Sequence, residues 1–189
     1  MPDGYLLDNN AISILVRPGD PRHAHVMAKF AAIPSGTRVG LPVMAIGEIE
    51  FGMAKVTPGD PAQRAAVRKF FRDHPLHFPV DDGTIEPYAL VRAKLWELYG
   101  TPKGGKRRGH QEKLPDELRE RATGQWIGID ERDLLIVSIA LQYNFRFATV
   151  DRNEEMKRIE RAVAQLVSET KWEKPLHLDD WTPPKPAGT

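Results

Sequence analysis

A chain of 189 residues, 41% hydrophobic and 28% charged, is long enough to bury a proper core and reads as one globular domain with extensions. Its formal net charge of +1 singles out no class of partner, because the distribution of charge matters more than the total. With no cysteine, disulfide and thiolate chemistry are excluded. The longest apolar run, Leu134 to Leu141, is interrupted by Ser138 and is too short to span a bilayer. The N-terminus carries acidic Asp3 and lacks the basic-then-apolar pattern of a secretory signal, so a cytoplasmic protein with no membrane partner is expected.

Taken in order, Tyr5-Leu6-Leu7 reads as a short buried strand that breaks off in Asp8, Asn9 and Asn10. Ala11 to Val16 continues a short helix ending near Pro18. Asp20 then offers an N-cap with Pro21 at the first helical position. Thr37 to Pro42 is a strand candidate, followed by a helix through "VMAIGEIEFGMAKV" despite Gly47 and Gly52. Asp60 and Pro61 repeat the cap-then-proline signal. "LHFPV" reads as a strand, and Asp82 opens a long amphipathic helix through Leu98. This alternation predicts an α/β domain with a parallel sheet.

Residues 99–124, "YGTPKGGKRRGHQEKLPDELRERATG", break the rhythm with Gly and basic residues and read as an insertion over the domain surface. The rhythm resumes with "DERDLLIVSIALQYN", whose acidic start suits a helix, although its apolar run also fits a strand. "FRFATV" is a strand ending in Asp151, a helix follows from about Asn153, and "PLHLDDW" is a closing strand. A Pro-rich tail over residues 183–189 has no core-forming residue.

The acids carry the chemistry. Asp8 after a strand has two readings: a helix cap, or a ligand at the carboxyl edge of a parallel sheet. From Val43 to Ala54 the only charged groups are Glu48 and Glu50, and burying a carboxylate without a partner is costly. Gly52, on the face of Glu48, would leave room beside it; a salt bridge to an arginine is the competing explanation. Asp133 opens an apolar helix together with Asp130 and Glu131, more acid than capping requires. Asp151 repeats the strand-then-Asp pattern, with Thr149 two residues earlier on the same side. Strand ends and the following helix starts share one edge, so Asp8, Glu48, Asp133 and Asp151 could converge there. Clustered carboxylates repel unless a cation sits among them. Oxygen-only ligation suits Mg²⁺ or Mn²⁺, which support phosphodiester hydrolysis.

These motifs resemble those of PIN-domain proteins. "YLLDNNAIS" is similar to the family's opening strand, aspartate and asparagine, and "GEIEFG" to its central helix motif. "DERDLLIVSIAL" is similar to its third motif, "ATVDRN" to its fourth and "LHLDDW" to its terminal strand. The similarity runs in the family's order from residue 4 to residue 181, and lies nearest the VapC-like ribonuclease toxins of toxin–antitoxin modules. The resemblance implies a three-layer α/β/α fold over residues 1–182 and a divalent metal, Mg²⁺ or Mn²⁺, held by Asp8, Glu48, Asp133 and Asp151. It also implies Asn10 and Thr149 as supporting polar groups and Glu131 as an accessory acid. The implied activity is endonucleolytic cleavage of single-stranded or structured RNA, such as a tRNA or rRNA, by a homodimer whose active site a cognate antitoxin protein blocks. Two departures stand out: Asn9 replaces a more usual threonine, and the insertion at about 100–125 lengthens a connection that is ordinarily brief. A housekeeping PIN nuclease without an antitoxin, or a non-catalytic RNA- or protein-binding module, are the alternative readings.

Other features are less informative. "GTPKGGK" matches a phosphate-binding loop only up to its lysine, since Arg107 stands where Ser or Thr should bind Mg²⁺. Lys103, Lys106, Arg107 and Arg108 read either as an RNA-contacting flap or as a solvated loop. His23 and His25 face different directions on a helix, and His74 and His77 straddle Pro75, so neither pair suggests a metal site. Ser138, Trp126 and Trp181 read as packing residues.

Overall fold

The computed structural model describes residues 1–56, 59–99 and 128–184. The insertion at about 100–125, with Lys103, Lys106, Arg107 and Arg108, and the end of the Pro-rich tail lie outside the described residues. The chain divides into two compact units, one made of residues 1–80, 143–152 and 177 onward, the other of residues 81–142 and 153–176.

The first unit carries a five-stranded, all-parallel sheet. Its strands are β1 (Tyr5–Leu7), β2 (Val39–Pro42), β3 (His77–Phe78), β4 (Arg146–Thr149) and β5 (His177–Asp180), in the order β3-β2-β1-β4-β5. Central strands of a parallel sheet are covered on both faces, so they read as unbroken apolar runs rather than alternating ones. Leu6, Leu7, Leu41, Phe147 and Ala148 are accordingly buried. Edge strand β5 is half-buried throughout and carries Asp179 and Asp180, charges that suit an open edge. Gly40 admits the ring of Phe78 from the neighbouring strand, where a Cβ would come within 2.4 Å of that ring.

Four helices belong to this unit: α1 (Asn9–Leu15), α2 (His23–Ala31), α3 (Val43–Ala54) and α4 (Pro61–Asp73). The cap-then-proline reading holds for α4, where Asp60 accepts from the Ala62 N–H at 2.8 Å and Pro61 opens the helix. It fails for α2, which starts at His23. There the Asp20 carboxylate is taken by the backbone N–H of Arg22 and by its guanidinium in a two-pronged pair. That pairing holds the Asp20 pKa down at about 2. "LHFPV" supplies only a two-residue strand.

The second unit packs α5 (Asp82–Tyr99) against α6 (Glu131–Gln142) and α7 (Glu154–Ser168). The run "LLIVSIAL" is helical, and Ser138 is buried with its hydroxyl donating to the Leu134 carbonyl at 2.7 Å, a packing role as expected. Asn153 caps α7 by accepting from the Met156 N–H at 2.9 Å. Met156, Ile159, Ala162, Val163 and Leu166 then form its buried stripe. Thr84 donates to Gln142, and Gln142 donates to Asp81, tying the start of α5 to the end of α6. Among the described residues no helix is long and apolar enough to cross a membrane.

Candidate functional site

In the sheet order, β1 is the point from which the chain leaves to β2 on one side while β4 lies on the other. Open parallel sheets place ligands outside the strand ends at such a reversal. Asp8 is the first residue beyond β1 and is only 8% exposed. Its extended backbone makes it the N-cap of α1, and one carboxylate oxygen, Oδ1, accepts from the Ala11 N–H at 2.5 Å. The other, Oδ2, accepts from the Thr149 hydroxyl at the end of β4, also at 2.5 Å. The two readings of Asp8 are therefore compatible: one oxygen caps the helix and the other reaches across the reversal.

Thr149 is itself fixed. Its Oγ1 accepts from the Asp151 N–H at 3.0 Å, which leaves the hydroxyl proton to point at Asp8. Thr149 is buried, whereas the Asp151 side chain is exposed, so the short turn after β4 holds a buried donor and an exposed acid side by side.

Glu48 is half-buried on α3, and its Oε2 accepts from Asn9 Nδ2 at 2.5 Å. Asp8, Asn9 and Glu48 thus form a connected set at the carboxyl edge. Asn10 is exposed and makes no side-chain hydrogen bond among the described residues. The room foreseen at Gly52 is real but is not the glycine's doing, since a Cβ there would meet nothing within 4 Å.

The remaining predicted acids belong to the second unit. Asp133 lies in the first turn of α6 and is exposed. Beside it Asp130 pairs with Arg132, which holds the Asp130 carboxyl below its ordinary value. Glu131 accepts a hydrogen bond from the Tyr88 hydroxyl, to which Arg92 donates at 2.6 Å. Burial pushes the Glu131 carboxyl above its ordinary value, although the Arg92 guanidinium lies 3.6 Å away. Glu131 thus anchors α6 to α5 within this unit.

Among the described residues, no three His, Cys, Asp or Glu side chains stand together as a ready-made ion cradle. The donor chemistry nonetheless fits a hard divalent ion, because the acids at the sheet edge offer only oxygen.

The fold is shared with chains from crystal structures of toxin–antitoxin complexes. A chain of VapBC2 from Rickettsia felis, bound to a DNA fragment from their promoter, matches 94% of this chain and 98% of its own, with a TM-score of 0.58 at 16% identity. A chain of VapBC-1 from nontypeable Haemophilus influenzae matches 94% of this chain and 97% of its own, with a TM-score of 0.57 at 17% identity. VapBC-5 from Mycobacterium tuberculosis, a member of the VapBC family of toxin–antitoxin systems, gives 95% and 99%, a TM-score of 0.51 and 19% identity. No family model matches the sequence, and no curated protein does. The α/β fold with a parallel central sheet, expected from the motif resemblance, is the fold of these chains.

Proposed function

We propose that this protein is a metal-dependent endoribonuclease of the VapC-like type, acting in the cytoplasm as the toxin of a toxin–antitoxin pair. The observation that carries the reading is the Asp8 carboxylate at the sheet reversal, buried and aimed by Thr149. Burying a carboxylate is costly and is sustained by directed hydrogen bonds; its position at the strand end is where an α/β sheet presents a ligand site.

On this reading Asp8, Glu48 and Asp151 hold Mg²⁺ or Mn²⁺ through oxygen atoms, and the motif resemblance adds Asp133 as a fourth acid and Glu131 as an accessory one. When bound, such an ion polarises a phosphodiester and lowers the pKa of adjacent water. The chain's own part is orientation. The Ala11 N–H and the Thr149 hydroxyl fix both oxygens of Asp8, and the Asp151 N–H fixes the direction of that hydroxyl. The fold shared with chains of VapBC complexes supports a cognate antitoxin as partner, and the motif resemblance supports a homodimer.

The test is cleavage of a mixed RNA pool with and without Mn²⁺. Wild type should cut only with the metal, and Asp8→Asn should fall to background while keeping its melting temperature within a few degrees. Equal cleavage by both proteins would sink the assignment. Metal-dependent cutting that no neighbouring small protein inhibits would point instead to a housekeeping nuclease. Absence of both cutting and Mn²⁺ affinity would point to a binding module.

A further inference from the structure

We propose that Asn9 is a positioning residue for Glu48: its side-chain amide sets where the Glu48 carboxylate lies relative to Asp8. The proposal rests on the reading of Asp8 and Glu48 as metal-holding acids and assigns a role to a residue outside that set.

Two observations carry it. Asn9 Nδ2 lies 2.5 Å from Glu48 Oε2, a contact that joins residues 39 apart in sequence. A carboxylate only accepts, so the amide must face it with its nitrogen, and a hydrogen bond to a charged acceptor is among the stronger ones. Second, Asn9 has little freedom of its own. It is the first residue of α1, and Asp8 beside it is fixed through the Ala11 N–H and the Thr149 hydroxyl. Asn9 therefore transmits the position of Asp8 to an acid on a different helix. Glu48 has three rotatable bonds between its helix and its carboxylate, so a donor held in place on α1 narrows its choice of rotamer.

The contrast that isolates the donor is Asn9→Thr against Asn9→Val, two side chains of one shape that differ in a hydroxyl. Calorimetric titration with MnCl₂ in the absence of RNA is the readout, beside thermal melting. Asn9→Val should weaken Mn²⁺ binding by about 10- to 100-fold, the usual effect of removing a group that orients a metal ligand. Asn9→Thr should retain most of the affinity, and the two variants should melt together. Equal Mn²⁺ affinity in the two variants would overturn the proposal, as would a loss in Asn9→Val matched by an equally large drop in melting temperature. Should the β-branched pair not fold, Asn9→Ser against Asn9→Ala supplies the same contrast. Asp8→Asn in the same series separates the two levels of the argument. If Asp8→Asn loses Mn²⁺ binding while the Asn9 variants do not, only the role of Asn9 fails. If Asp8→Asn binds as wild type does, the metal site fails and the role of Asn9 with it.

Discussion

Among the described residues each unit buries one charged side chain, and the two are held by different means. In the helical unit the Lys94 ammonium is 2% exposed and meets Glu97 at 2.8 Å and both oxygens of Glu169 at 2.8 and 2.9 Å. Those carboxylates raise its pKa above the ordinary lysine value. All three ammonium protons are used, and the charge is answered by two opposite charges. In the sheet unit, the oxygens of Asp8 accept from a backbone N–H and a hydroxyl, both neutral dipoles that fix direction. The difference is one of means. A cation surrounded by carboxylates ties α5 to the end of α7, whereas an N–H and an O–H of the chain fix the directions of the two Asp8 oxygens.

The contrast can be broken at either side. The largest effect on stability is expected at Lys94→Met, which leaves Glu97 and Glu169 without their shared cation. Its melting temperature should fall by about 5–10 °C while Mn²⁺ affinity stays within twofold of wild type. A parallel loss of Mn²⁺ binding would mean that Lys94 is no mere fastening. Thr149→Val should do the reverse. Removing the hydroxyl that aims Asp8 should cost about 10- to 100-fold in Mn²⁺ affinity and cleavage, with melting changed by a few degrees only. If it instead lowers the melting temperature sharply and leaves the affinity of the folded protein intact, Thr149 is structural.

The smallest effect concerns His177 on edge strand β5. Burial, followed by the positive charges of Arg146 and the N-terminus, holds its pKa below the ordinary 6.5. A folded-state pKa below the unfolded one favours the neutral ring in the native state. Its contribution to stability is thus present above pH 6.5 and lost as pH falls through the folded value. His177→Gln should flatten the melting-temperature profile on the acid side of pH 6.5 and leave it unchanged above. An unaltered profile would place the acid sensitivity elsewhere.

Local signals were the ones the sequence carried well. The stop at Asp8, the Asp60–Pro61 start of α4, the Asn153 start of α7 and the Thr149–Asp151 turn all follow from residues adjacent in the chain. What the sequence hid depends on partners far away. Asp20 resembles a cap, but the arginine two residues on takes its carboxylate and delays the helix to His23. Asn9 meets Glu48 on another helix, 39 residues away, a contact no local signal foretells. Lys94 lies 75 residues from Glu169, and no periodicity brings them together. Glu131 was legible as an acid at a helix start, but its engagement with Tyr88 and Arg92 on another helix was not.

The most direct test needs no RNA and so does not wait on a substrate: calorimetric titration of wild type and Asp8→Asn with MnCl₂ at neutral pH. Saturable binding by wild type that Asp8→Asn abolishes, with both proteins melting alike, is the predicted result. Identical heats for the two proteins would contradict the account and leave the buried carboxylate of Asp8 as a helix cap alone.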